Sequence, residues 1–183
     1  MIIETIVTTL DANGAINVAP MGVEWGDDLL VVKPFLDTTT FRNLRDTRTA
    51  VVNLTDDVRI FVRAALFSAN APTVPATKIP GVVLSAASSW REVEVTSIDA
   101  TPPRSRIETR VVYHGTGGEF LGLNRARHAV LEATILATRL HLIPHEEIRR
   151  QIDALEVLVD KTAGPREQEG WALVSAYVRE RTS

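Results

Sequence analysis

The sequence predicts an α+β fold, with an antiparallel β-barrel over residues 1–121 and a helical bundle over residues 122–183. Three observations carry that expectation. Short β-rich runs joined by turn residues crowd the N-terminal part, which favours local antiparallel pairing. No helical segments separate them at βαβ spacing and no glycine-rich phosphate fingerprint is present, so a meander or small barrel is favoured over a Rossmann sheet. From Asn124 onward the apolar residues recur at helical instead of strand spacing.

Residues 2–10 are rich in β-branched side chains, and Asp11-Ala12-Asn13-Gly14 supplies the conformations of a tight hairpin. Ala15 to Ala19 reads as the return strand, broken at Pro20, which donates no ladder bond. Met21 to Trp25 and Leu29 to Lys33 flank a Gly26-Asp27-Asp28 turn and read as a second hairpin. In Asp37 to Asp46 an Asp or Thr caps a short helix that carries Phe41 and Leu44 at i, i+3.

Thr49 to Leu54 is another strand. Val58 to Phe67 is an apolar run that fits either buried strand or helix. Residues 68–86, with Pro72, Pro75, Pro80 and Gly81, read as a long loop serving as a lid or subunit contact. Two long strands follow, Ser88–Ala100 and Arg104–His114, in which charged and apolar residues alternate as in a sheet with one wet face. Three helices complete the chain, over Asn124–Leu142, Pro144–Thr162 and Arg166–Arg181, the last two separated by Gly164-Pro165.

Composition narrows the function. Hydrophobic residues make up 45% and charged residues 23%, as in ordinary globular proteins, and a net charge of −3 offers no diffuse basic field for nucleic acid. There is no cysteine, so disulfides, thiol nucleophiles, thiolate zinc sites and cysteine-ligated iron–sulfur clusters are excluded. Redox chemistry here requires a bound cofactor. The chain opens without a basic n-region and holds no apolar run near the roughly 20 residues that span a bilayer. A cytoplasmic location without membrane contact is expected.

Asn17-Val18-Ala19-Pro20-Met21-Gly22, then Thr38-Thr39-Thr40-Phe41-Arg42-Asn43-Leu44, then Ala50-Val51-Val52-Asn53-Leu54 occur in that order. The set resembles the flavin reductase-like branch of the FMN-binding split-barrel superfamily. Here Asp37 is followed by three threonines, and Met21-Gly22 stands where relatives carry a Ser-containing bend. Glu4 to Thr9, Ala19 to Val23, Asn124-Arg125-Ala126-Arg127 and Thr138-Arg139-Leu140 are similar to a domain-of-unknown-function family within that superfamily, one that adds a C-terminal helical part. The resemblance implies a homodimer of split β-barrels, antiparallel and Greek-key-like, with FMN near the subunit boundary. It implies phosphate contacts at Thr38, Thr39, Thr40 and Asn43 and ring contacts at Asn17, Ala19, Pro20, Met21 and Gly22.

Physical chemistry is compatible with these roles. Hydroxyls and first-turn N–H groups at a helix N-terminus suit a phosphate, and Arg42 and Arg45 add positive charge; the threonines equally suit plain helix capping. Pro20 and Gly22 let backbone approach a flat ring, or simply make an edge-strand bulge. Arg125, His128, Glu132 and Arg139 on the long helix form either a solvent face or a substrate or flavin contact. Among the four histidines, His141 and His145 are separated by Pro144 and do not share a helical face, so no metal is assigned. Asp56-Asp57 reads as a helix cap.

The expected activity is electron or hydride transfer from FMN to a small molecule. A non-catalytic binding or assembly module and an enzyme for a pterin-like heterocycle are the alternatives.

Overall fold

The computed structural model describes all residues except 68, 69 and 183. The chain divides into two compact units, one of residues 1–55 and 70–120, the other of residues 56–69 and 121–183.

The first unit is a closed antiparallel barrel. β1 (Ile2–Leu10), β2 (Ile16–Glu24), β3 (Leu29–Val32), β4 (Thr49–Leu54), β7 (Ser89–Asp99) and β8 (Arg106–Thr116) close in the order β1-β2-β3-β8-β7-β4. Asp11 makes the first hairpin, its carboxylate accepting from the N–H groups of Asn13 and Ala15, both at 2.8 Å. Such an Asx turn fixes the register that sets Thr9 opposite Asn17 and Val7 opposite Ala19.

The strand expected to break at Pro20 runs through it, so three strands instead of four occupy the N-terminal part. β2 is laddered to β1 along its whole length but pairs with β3 at Glu24↔Val31 alone. Residues 16–23 thus face an open edge, where a missing proline donor is tolerated. The closed barrel is thus held at the β2–β3 seam by one residue pair.

Val7, Val23, Leu30, Val32, Val52, Val93 and Ile107 fill the interior. They are joined by Phe41 and Leu44 of helix α1 (Thr39–Thr47), whose i, i+3 spacing aims both into the core. Thr38 caps α1, accepting from the Phe41 N–H at 3.2 Å, and Arg48 in the left-handed region ends it.

The 68–86 loop corresponds, in its described part, to the hairpin β5 (Thr73–Pro75) and β6 (Val82–Leu84); residues 68 and 69 lie outside the described set. The hairpin covers the outer face of β1 and β4, where Thr8 donates to the Val82 carbonyl at 2.5 Å and Asn53 accepts from the Leu84 N–H at 2.9 Å.

That cover changes the reading of β7. Glu92, expected on the wet face, is fully buried, because the strap over residues 76–81 lies on it. Trp90 shares this face and packs where Gly115, its partner on β8, lacks a side chain. A Cβ there would stand 2.0 Å from the indole. Gly115→Ala is therefore expected to destabilise by about 1–3 kcal/mol through overpacking, read as a lower urea midpoint at unchanged slope.

The second unit is helical. It comprises α2 (Val58–Leu66), α3 (Arg125–Ala137), α4 (His145–Thr162) and α5 (Pro165–Thr182). The apolar run after Asp57 is thus a helix, capped by that carboxylate, with Val58, Phe61 and Val62 buried. Val58, Val62, Val130, Ile148, Ile152, Val174 and Val178 form the core of this unit. No helix among the described residues is long and apolar enough to cross a membrane.

Candidate functional site

Alternation along an antiparallel strand puts Thr5, Val7 and Thr9 of β1 on one face, and Val7 lies in the barrel core. Their partners Met21, Ala19 and Asn17 share that inward face. Thr9, 1% exposed, sits at its end beneath α1. Its Oγ1 accepts from Asn43 Nδ2 at 3.0 Å and from Asn17 Nδ2 at 3.3 Å. Asn17 Nδ2 also donates to Thr40 Oγ1 at 3.0 Å.

The structure therefore brings Asn17, Thr40 and Asn43 together, with strand β2 joined to the first turns of α1. Thr40 and Asn43 are nearly fully buried and their polar groups point into this network. Since Thr40 Oγ1 accepts from Asn17, its own proton is left to donate elsewhere.

The outward side of the turn belongs to Thr38, Thr39 and Arg42. Thr38 Oγ1 donates to the Phe35 carbonyl at 2.7 Å as well as capping the helix. The exposed Arg42 folds back over the N-terminus, donating to the Asp37 carbonyl at 2.8 Å and to Thr39 Oγ1 at 3.0 Å. A helix N-terminus is already the positive end of the dipole, and the first turn of α1 holds no acid. A guanidinium added there makes the corner attractive to an anion. Arg45 faces away from that role: it pairs with the Asp46 carboxylate at 2.7 Å and holds its pKa below the usual carboxylate range.

Along β2, Ala19, Pro20, Met21 and Gly22 are half-buried on the strand with the open edge. The Met21 carbonyl accepts from Thr5 Oγ1 at 3.0 Å. At Gly22 the space a side chain would take is filled by Ile2, whose Cγ2 would lie 2.7 Å from a Cβ. A side chain at this position would displace the exposed Ile2, so the glycine leaves room for packing within the chain.

The charged residues of the long helix fare differently. Arg125, His128 and Glu132 lie exposed on α3, but α3 ends at Ala137, and Arg139 falls in the turn that follows instead of extending their face. Asp57 caps α2, and Asp56 pairs with Arg127 at 2.7 Å. His145 begins α4 and His141 precedes it in the turn. Among the described residues no group of three His, Cys, Asp or Glu side chains is placed to hold a metal ion.

Thr9 was absent from the expected site. In the sequence it is one more β-branched residue of a strand; only the hairpin register, which pairs it with Asn17, marks it out.

Solved structures share this architecture. An FMN-bound protein from Methanosarcina mazei aligns at 26% identity over 96% of this chain and 94% of its own, with a TM-score of 0.81. An FMN-binding protein from Thermus thermophilus, solved with p-hydroxybenzaldehyde, aligns at 16% identity over 62% of this chain and 71% of its own, with a TM-score of 0.54. A candidate flavin reductase with a split-barrel domain from Shewanella frigidimarina aligns at 13% identity over 65% and 69%, with a TM-score of 0.55. The last two show a shared split-barrel fold. No functionally curated protein matches the chain. The model of a protein of unknown function (DUF447), N-terminal domain, matches residues 3–117, and the model of its companion C-terminal part matches residues 124–175. With both parts in order and nearly the whole chain covered, this protein belongs to the DUF447 family.

Proposed function

We propose that the chain binds FMN, with the phosphate at the N-terminal turn of α1 and the ring system along Asn17 to Gly22 of β2. The observation that carries this reading is the 3.0 Å hydrogen bond from Asn17 to Thr40, which joins the two segments that the sequence separately suggests for ring and phosphate. The FMN-bound family member supports it.

The residues present fit such a cofactor. The first turn of a helix leaves N–H groups without intrahelical partners, and Thr39 and Arg42 add a hydroxyl and a guanidinium without a competing acid in that turn. Thr38, Thr40 and Asn43 hold the turn in shape. The open edge of β2 offers backbone groups that no β3 ladder consumes beyond Glu24, which suits the polar rim of a flat heterocycle.

When bound, FMN supplies the redox chemistry that this cysteine-free chain lacks. The protein's own contribution is to hold and orient: the turn grips the anionic tail, and the inward Ala19 and Met21 leave an apolar floor beside the open edge. Electron or hydride transfer to a small molecule, and a homodimer with the cofactor near the boundary, complete the reading.

Titrating the purified protein into FMN at micromolar concentration is expected to quench flavin fluorescence to saturation and to shift the absorption bands of bound flavin. Absence of quenching rejects the reading. A colourless, stable dimer would then favour a binding module, and preferential uptake of a pterin would favour the heterocycle alternative. Thr39→Ala combined with Arg42→Ala is expected to weaken FMN binding by about 2–3 kcal/mol, the loss of charge-assisted hydrogen bonds, while riboflavin, which has no phosphate, is affected far less.

A further inference from the structure

We infer that Thr9 is a positioning residue that sets the chain's preference for a phosphorylated flavin, an inference that rests on the FMN reading above. Its hydroxyl is the shared acceptor for the Asn17 and Asn43 carboxamides, one from β2 and one from α1. It belongs to neither segment, and at 1% exposure it does not contact a ligand itself.

Thr9 is well suited to act through its neighbours. It is laddered to β2 and follows directly on Ile6, Val7 and Thr8, which are paired with β4 as well, so it extends the two-sided part of β1. β2 by contrast has an open edge at Asn17, and α1 is a helix of only nine residues held by its cap and two core side chains. The carboxamides of these two elements both donate to Thr9. The donation from Asn43 sets the rotation of α1 about its axis, and hence where the Thr39 and Thr40 N–H groups and the Thr39 hydroxyl point. Asn17 also donates to Thr40 Oγ1, which ties β2 directly to the first turn of α1. Removing the shared acceptor orphans the buried Asn43 donor and leaves the part-buried Asn17 carboxamide with Thr40 Oγ1 alone, so the tie between strand and helix through β1 is lost.

Thr9→Val keeps the volume and β-branching but removes the acceptor. Relative to wild type it is expected to bind FMN about tenfold more weakly while binding riboflavin within about twofold, collapsing the preference between the two ligands. Thr9→Ser, which keeps Oγ, is expected to restore that preference. A role in core packing alone would lower both affinities together, or would be rescued by Val and not by Ser. Either pattern overturns the inference, as does an unchanged preference in Thr9→Val. Should the valine variant fail to fold, Thr9→Cys, similar in size but a weak acceptor, carries the same comparison. Wild-type protein that binds neither flavin rejects the underlying FMN reading; wild-type binding with an unchanged ratio in the variants rejects only the role of Thr9.

Discussion

Arg127→Met is expected to destabilise the helical unit by about 3 kcal/mol at neutral pH, a loss that shrinks as the pH falls. Arg127 lies in the first turn of α3, where a cation opposes the helix dipole, so its position must be maintained by partners. Besides the Gly122 carbonyl at 3.3 Å it has two carboxylates, Asp56 at 2.7 Å and Glu167 at 2.9 Å, and its side chain is 16% exposed against their 11% and 6%. One arginine thus compensates two nearly buried carboxylates. Removing it leaves both charges without that compensation in a low-dielectric setting, the case in which breaking an ion pair costs about 3–5 kcal/mol.

The pH dependence follows from Glu167. Burial pushes its carboxyl upward, but hydrogen bonds from Arg127 and the Gly164 N–H outweigh burial and leave it below its ordinary value. A depressed carboxylate stabilises the fold above its unfolded value, and that contribution disappears as pH falls through the folded one. In Arg127→Met the arginine contribution is gone and burial remains, so wild type and variant converge in acid. Urea titrations between neutral and acidic pH measure the gap. Adding Glu167→Gln removes one orphaned charge and is expected to recover part of the loss; strict additivity of the two substitutions would show that the three groups do not act as a network.

How much of this was legible beforehand depended on whether the deciding neighbour was close in sequence. The first hairpin, the capped helix after Asp37 and the three C-terminal helices are written in local terms: Asp11 with its own turn, Thr38 with Phe41, Asn124 with Arg127. Pro20 was misread because its effect depends on whether β3 pairs alongside, and that strand is set by contacts farther along the chain. Val58 to Phe67 was ambiguous because a short, mostly apolar segment satisfies strand and helix alike, and its partners Val130 and Val174 lie far along the sequence. At the candidate site, Asn17, Thr40 and Asn43 stood out as contacts that the resemblance implies, whereas Thr9, though within the similar Glu4 to Thr9 run, was given no site role, since a threonine in a β-branched run carries no local sign of its partners.

Glu92 is the sharpest instance, and it yields the second large expected effect. Alternation put it in solvent; instead its carboxylate accepts from the N–H groups of Thr77 at 2.7 Å, Lys78 at 2.6 Å and Ile79 at 3.2 Å, and from Trp90 Nε1 at 3.3 Å. Three successive amides turned on one anion make a nest, here filled by a residue of the same chain. Ile79 is buried beside it, whereas the bond from Thr49 Oγ1 to the Pro80 carbonyl is exposed, so Glu92 is the strap's deep polar anchor. Glu92→Ala is therefore expected to cost about 3 kcal/mol, since bonds to a charged acceptor are worth about 1.5–3 kcal/mol each and the strap recovers part by meeting water. The loss should be local: amide exchange at residues 77–79 accelerates strongly, while that of β7 and β8 stays slow. Because the amides remain, formate or acetate supplied to Glu92→Ala is expected to re-enter the nest and slow exchange there again, whereas chloride at equal ionic strength does so less. Glu92→Gln should fare worse than its near-identical shape suggests, because its amide nitrogen sets a donor against donors. If Gln proved as stable as Glu, shape and not charge would be what holds the strap, and the anion would be incidental to the fold.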